Sequence, residues 1–390
     1  MTSDRARPPS GGEDRKLKIL VINPGSTSTK VSIFEDETEL FSESISHSRL
    51  ELDIFERVWD QYEFRKRMIK ELLEEHGIKP TELSAVVGRG GLFQPVVGGT
   101  YEVNEIMIED GRIAARGDHA SNLGAVLAFG IGWDYHLPSF IVDPPSVDEF
   151  DDVARVSGLP EFPRESLFHA LNIKATARLA AEKLRKAFEE LNFIIAHLGG
   201  GITVAAMRKG KVIDSNNALS SGPFTPERAG DLPMLEFSSW CFSGKVDEKQ
   251  VKGKLVGGGG LSAHLGTNDA REAERRIAAG DEKAKRVYEG MVYQIACEIG
   301  TRAVALKGEI DAIVLTGGLA YSQMLVEKMK EWVGFLAPVM VFAGQDEMKA
   351  LALGALRVLR REEKAKTYPE TISASGEGIE TPSSPRSATT

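Results

Sequence analysis

Cysteine is nearly absent from this 390-residue chain. Cys241 and Cys297 lie far apart and outside any metal-ligand spacing, so neither a disulfide framework nor a zinc site is expected. That usage fits a reducing, cytoplasmic setting. Also missing is any apolar run of membrane-spanning length, and residues 1–16 lack the apolar core of a signal peptide. A soluble, unexported protein is expected. Basic residues are not in excess either: 48 Lys and Arg face 57 Asp and Glu, for a net charge of −9. Nucleic acid and anionic membranes are therefore poor partners. An anionic substrate must be met by a few placed Arg and Lys side chains.

The chain is long enough for more than one core, at about 150 residues per domain. Residues 1–16 and 367–390 are polar, Ser-, Pro- and Gly-rich stretches and read as disordered ends. Between them, the organising stretch is KILVINPGSTSTKVSIF, residues 18–34. A β-branched apolar run stops on Pro24-Gly25 and resumes after a cluster of hydroxyls, which predicts strand, turn, strand. Ser26, Ser28 and Lys30 offer hydroxyls, N–H groups and a charge to an anion at that turn. No helical periodicity follows Lys30, so this is a hairpin and not the strand-to-helix phosphate loop.

Further along, spacing predicts a helix over 50–76 and a strand over 83–87 that ends on Gly88-Arg89-Gly90-Gly91. A strand over 139–143 ends on Asp143, and a helix is predicted over 166–191. Residues 192–219 then repeat the opening layout of strand, glycine turn, strand, short turn, strand. Two similar halves are implied. Arg228 and Asp231 follow in a turn-rich segment, and a strand over 311–315 breaks on Thr316-Gly317-Gly318. A last strand, 338–342, and a helix from Lys349 to about Arg360 complete the pattern.

Glycine turns at strand ends in two duplicated halves resemble the superfamily of acetate and sugar kinases, Hsp70 and actin. Within it, INPGSTSTK, HLGGGIT, PERAGDLP and LTGGLA resemble the acetate/butyrate kinase family, more nearly its butyrate kinases. The resemblance runs from about Lys18 to Arg360. It implies an α/β fold of two duplicated actin-like (ribonuclease H-like) domains with a nucleotide cleft between them. The expected boundaries are 17–165 plus 349–366 for one and 166–348 for the other. It further implies ATP/ADP and Mg2+ as cofactors, a short-chain carboxylic acid as substrate, and a homo-oligomer built from dimers.

By position, the resemblance assigns Arg89, Asp143, His169 and Arg228 to catalysis and Asn23 and Glu347 to Mg2+. Ser26, Ser28, Lys30, His197, Gly199, Gly200, Gly201, Gly317 and Gly318 fall to the nucleotide. The chemistry agrees. A carboxylic acid of pKa about 4 to 5 is already ionised and needs no base, whereas its approach to a triphosphate needs cations. Guanidinium suits both carboxylate and phosphate. The acetate kinases tend to carry an apolar side chain two residues after the first arginine, where this chain has Gly91. That implies room for extra methylenes, each worth about 1–3 kcal/mol of discrimination. A four-carbon or branched acid is therefore expected. The alternatives are a sugar or polyol kinase with Asp143 as base, and a non-catalytic nucleotide-dependent binding protein.

Overall fold

A computed structural model of the chain describes residues 16–344 and 346–369. Its strands are β1 (Lys18–Pro24), β2 (Ser28–Glu35), β3 (Thr38–Ser46), β4 (Ala85–Arg89), β5 (Thr100–Glu102) and β6 (Ser139–Val142). They continue with β7 (Asn192–Leu198), β8 (Ile202–Arg208), β9 (Lys211–Ser215), β10 (Ala312–Gly317), β11 (Val339–Ala343) and β12 (Lys366–Thr367). One sheet has the order β12-β5-β6-β4-β1-β2-β3 and the other β11-β10-β7-β8-β9. In each, an antiparallel meander (β1-β2-β3, β7-β8-β9) is extended from its first strand by parallel neighbours, β4 and β6 or β10 and β11. The duplication read from the turn pattern is thus present in strand order and direction.

Burial follows the two-residue period of a strand. In β1, Ile19 and Val21 enter the cluster formed with Met348, Leu351 and Leu356 of the helix Glu347–Leu359. Leu20 and Ile22 enter the opposite cluster, with Ile69 and Leu73 of the helix Tyr62–Glu75 and Leu123 and Leu127 of the helix Asn122–Tyr135. In the second sheet Ile194, Ala196 and Leu198 pack on the helix Glu282–Ala305, while Phe193 and Ile195 face the helix Ala170–Leu184. That last cluster also takes in Phe93, Tyr101 and Ile141 from the first sheet's side, so one core serves both sheets.

Several expectations change. The helix expected over 50–76 is a four-residue helix, Arg49–Leu52, closed by a Ser48/Glu51 capping box, then a 3-10 turn, and only from Tyr62 a long helix. Ile54, counted as part of the apolar stripe, is exposed. The helix expected over 166–191 is Ala170–Leu184, stopped where Arg185 turns left-handed. The C-terminal tail does not start at 367: β12 pairs with β5, and Tyr368 is buried in the core with its hydroxyl on Asp110 and on the Gln94 N–H. Residues 1–15 and 370–390 lie outside the described residues. No described helix is long and apolar enough to cross a membrane.

The strand that carries Arg89 is set by a glycine pair. A Cβ on Gly88 would stand 2.0 Å from the Gly124 carbonyl oxygen, and one on Gly124 would stand 2.1 Å from that of Arg89. The helix Asn122–Tyr135 therefore lies backbone against backbone on β4, and no side chain can move aside to make room. We expect Gly124→Ala to lower the unfolding free energy by about 1–3 kcal/mol, measured by urea denaturation. A fully stable variant would show that the helix can slide away from β4.

Candidate active site

The ends of β1 and β4 and the start of the helix Glu347–Leu359 meet at one carboxylate oxygen. Glu347 Oε2 accepts from Asn23 Nδ2 at 2.8 Å and from Arg89 Nη1 at 2.5 Å. Glu347 is the first residue of its helix, after the N-cap Asp346, whose carboxylate accepts the Lys349 N–H. Lys30 stands directly across from Asn23 in the β1–β2 register, and facing residues on paired strands share a side of the sheet. An amide oxygen and a single carboxylate suit a cation that keeps several waters and takes its remaining oxygens from phosphate. Asn23 and Glu347 therefore fit Mg2+. No group of three or more His, Cys, Asp or Glu fit to hold a metal exists among the described residues.

The second sheet contributes the turn after β7. Thr225 Oγ1 donates to the Gly200 carbonyl at 2.5 Å and accepts from the Arg228 N–H at 2.9 Å, which clips the Thr225–Arg228 turn onto the glycines. The Arg228 guanidinium consequently lies against Gly201, where a Cβ would stand 2.2 Å from Nη1. Arg228 Nη1 donates to the Ala218 carbonyl, while Nε is buried without an acceptor. Beside it, the rings of His169 and His197 stack with centroids 4.0 Å apart. His169 Nδ1 pairs with the Thr203 hydroxyl at 2.8 Å, and His197 Nδ1 with Asn172 Oδ1 at 2.7 Å. The third turn sits next to these: a Cβ on Gly317 (φ +86°) would meet the Leu198 carbonyl at 2.3 Å, whereas Gly318 faces open space.

Electrostatics ties the two sheets together. Burial pushes the His197 imidazole down to about 4, and the charges of Arg228 and Arg89 push the same way. His169 is driven well below its usual value by burial, by His197 and by the same two arginines. Both rings are therefore neutral at pH 7. With its proton on Nδ1 toward the Asn172 oxygen, His197 presents Nε2 as an acceptor, not a donor to phosphate. His169 can accept the Thr203 proton at Nδ1 and keep Nε2–H free to donate. Of the two, His169 is the one suited to a phosphoryl oxygen.

Asp143 follows Val142, the residue paired with Arg89 across β4 and β6, but its own partners are different ones. It closes β6 at φ +37°, is 2% exposed, accepts the Gly99 N–H at 2.7 Å, and faces Arg178 at 3.6 Å. Burial raises its pKa against the pull of Arg178. Gly91 also departs from expectation. A Cβ there would stand 2.4 Å from Asn122 Oδ1 and 2.7 Å from Asn122 Cα, so the absence of a side chain is accounted for by the packing of the helix Asn122–Tyr135. Sequence reading overlooked Thr203, Asn172 and Thr225, which orient the histidines and the turn and carry no motif of their own. It also overlooked His119, whose pKa is lowered first by burial and then by Arg89. Its only signal was a histidine in the charged turn RGDHAS.

The neutral histidines carry a pH signature. Between pH 6.5 and about 4 the unfolded chain binds protons that folded His197 refuses. The stability associated with that ring is complete above pH 6.5 and is lost as the pH falls toward about 4. Urea midpoints measured from pH 7 to 4.5 are expected to decline, and His197→Gln to flatten the decline. An unchanged slope in the variant would contradict the assignment.

Residues 164–340 match the model of the Acetokinase family. The chain is 53% identical over 352 residues to a probable butyrate kinase 2 from Caldanaerobacter subterraneus, covering 90% of this chain and 99% of that protein. It is 51% identical, with the same coverage, to a probable butyrate kinase of Clostridium botulinum. Among solved structures, Porphyromonas gingivalis acetate kinase superposes with a TM-score of 0.74 at 19% identity, over 88% of this chain and all of that one. A Francisella tularensis propionate kinase gives 0.68 at 19%, over 87% and 98%. These structural likenesses establish the actin-like α/β fold. The length and level of the sequence matches settle the rest: the chain belongs to the acetokinase family, among its butyrate kinases.

Proposed function

We propose that the protein transfers the γ-phosphoryl group of ATP to the carboxylate of a short-chain fatty acid, giving an acyl phosphate and ADP. The observation that carries this reading is Arg89 at the Asn23–Glu347 contact and Arg228 against the Gly199–Gly201 turn, both lowering the pKa of the stacked His169 and His197, while Asp143 is buried with the Gly99 N–H and Arg178 as its partners. Such a site supplies positive charge and no free carboxylate, and its histidines are weak bases because their pKa values are lowered. It suits an acceptor that arrives ionised and disfavours a sugar hydroxyl, which needs its proton taken. Four carbons, straight or branched, is the chain length we favour on the names of the butyrate kinase relatives; Gly91 does not bear on it. The same reading makes Mg2+ the ion and the cytoplasm the compartment.

Transfer is a direct in-line displacement. A carboxylate oxygen forms a bond to the γ-phosphorus as the bond to the bridging oxygen breaks, and the electron pair leaves with ADP. Arg228, whose guanidinium lies against Gly201, and Arg89 hold the acid and the equatorial oxygens as charge shifts. His169 Nε2–H donates to a transferring oxygen as a neutral group. Ser26, Ser28 and Lys30 from the first hairpin and the turns at Gly199–Gly201 and Gly317-Gly318 hold the nucleotide. Mg2+ at Asn23 and Glu347 would neutralise phosphate charge. Since Arg89 is paired with Glu347 in the structure, the acid and the phosphates compete with that carboxylate for its fork.

Hydroxamate trapping of acyl phosphate from ATP and Mg2+, with acids of two to six carbons and with glycerol and glucose as controls, tests the reaction. A maximum at butyrate or isobutyrate is expected. ADP release with a hydroxyl acceptor and none with any acid would overturn the proposal. Arg89→Ala and Arg228→Ala are each expected to lower kcat/KM for the acid by at least about 100-fold. Undiminished turnover in either variant would remove it from the clamp.

A further inference from the structure

Arg65, in the helix Tyr62–Glu75, is the largest fully buried side chain among the described residues, at 1% exposure. Its guanidinium lies under the tip of the first hairpin. Nη1 donates to the Gly25 carbonyl at 2.9 Å, the Ser28 carbonyl at 3.0 Å and the Thr29 hydroxyl at 3.0 Å. Nη2 donates to the Ser26 carbonyl at 3.3 Å and to Gln61 Oε1 at 2.8 Å, and Nε to the same Gln61 oxygen at 3.0 Å. Every acceptor is neutral, and no carboxylate pairs with this arginine among the described residues. Burial lowers its pKa only to about 10, so the charge is present at pH 7. Such a burial is costly unless the charge is used, because a buried cation is normally matched by an anion.

The geometry of the trans peptide says what the arrangement achieves. A carbonyl and the N–H that follows it point in opposite directions. With the Gly25 and Ser26 carbonyls drawn inward to Arg65, the N–H groups of Ser26 and Thr27 are turned outward, and neither has an acceptor among the described residues. Both residues are exposed. Thr27 is itself fixed from the far side, its carbonyl accepting the His47 N–H at 2.8 Å. Thr29 Oγ1, accepting from Arg65, donates its own O–H to His47 Nε2 at 2.8 Å. Burial and the charge of Arg65 lower that imidazole's pKa to about 4 and keep it neutral, so it adds no charge beside the arginine.

We propose that Arg65 is a positioning residue for phosphate. By holding the carbonyls of the turn inward it presents the Ser26 and Thr27 N–H groups as an anion nest, with an uncompensated positive charge behind them. The assignment of that anion to a nucleotide phosphate rests on the proposed kinase reaction.

Isothermal titration of the full chain with ATP, with inorganic pyrophosphate and with adenosine separates these roles, using the unmodified protein, Arg65→Gln and Arg65→Lys. We expect Arg65→Gln to weaken ATP and pyrophosphate binding at least about tenfold, the size of one charge-assisted contact, with adenosine binding unchanged. KM for ATP rises accordingly while KM for the acid stays put. Arg65→Lys, which keeps the charge and loses the fork, falls between. Should Arg65→Gln not fold, weakened ATP binding by Arg65→Lys with normal adenosine binding supports the proposal. Variants that bind ATP as tightly as the unmodified protein, or that lose adenosine and ATP alike, overturn it. An unmodified protein that binds pyrophosphate but no ATP overturns the kinase reading alone, and Arg65 is then judged on pyrophosphate.

Discussion

The meeting of Asn23, Arg89 and Glu347 at one carboxylate oxygen is the contact on which the rest of the site depends. It joins residues more than 250 positions apart, drawing the first hairpin, the fourth strand and the C-terminal helix to a single point. That point is reachable only because β4 and the helix Asn122–Tyr135 touch backbone to backbone at Gly88 and Gly124. Local sequence, helix packing and chemistry are linked here in sequence: two glycines allow an approach, the approach fixes a strand end, and the strand end aims an arginine.

From that contact outward the protein manages positive charge. Arg89 is half-neutralised by Glu347, Arg228 is offered a carbonyl and left with a bare Nε, and Arg65 has neutral acceptors alone. The histidines, which could have added charge, are held neutral by burial and by these same arginines. A site tuned in this way attracts a polyanion and a carboxylate together, two species that repel each other in water. Their mutual repulsion is offset by cations that were never cancelled in the fold.

Much of this was legible in the sequence, and for a physical reason. Strand runs with covered faces, glycine turns at their ends and the repeated meander are local patterns, so β1, β2, β7, β8 and β10 and the residues at their tips fell close to where they were expected. Asn23 and Arg89 sit at strand ends, His169 and Glu347 at the starts of helices, and Arg228 in the turn that follows the second meander. What was not legible depends on partners distant in sequence. Arg65 looks like any charge on an amphipathic helix until the hairpin is laid over it. Asn172, Thr203 and Thr225 act by gripping other groups, and Gly91 looked like pocket space because nothing local reveals that Asn122 fills it. β5 is three residues long and exists only through its pairing with β6 and β12.

The apolar cluster shared by the two sheets has a thermodynamic consequence. Phe193, Ile195 and Val314 of one sheet and Tyr101 and Ile141 of the other are dry only while both are in place, with the helix Ala170–Leu184 between them. Melting either half would wet the cluster it shares with the other, which couples the stabilities of the two duplicated units. The duplication survives in topology; in energetics the halves are no longer independent.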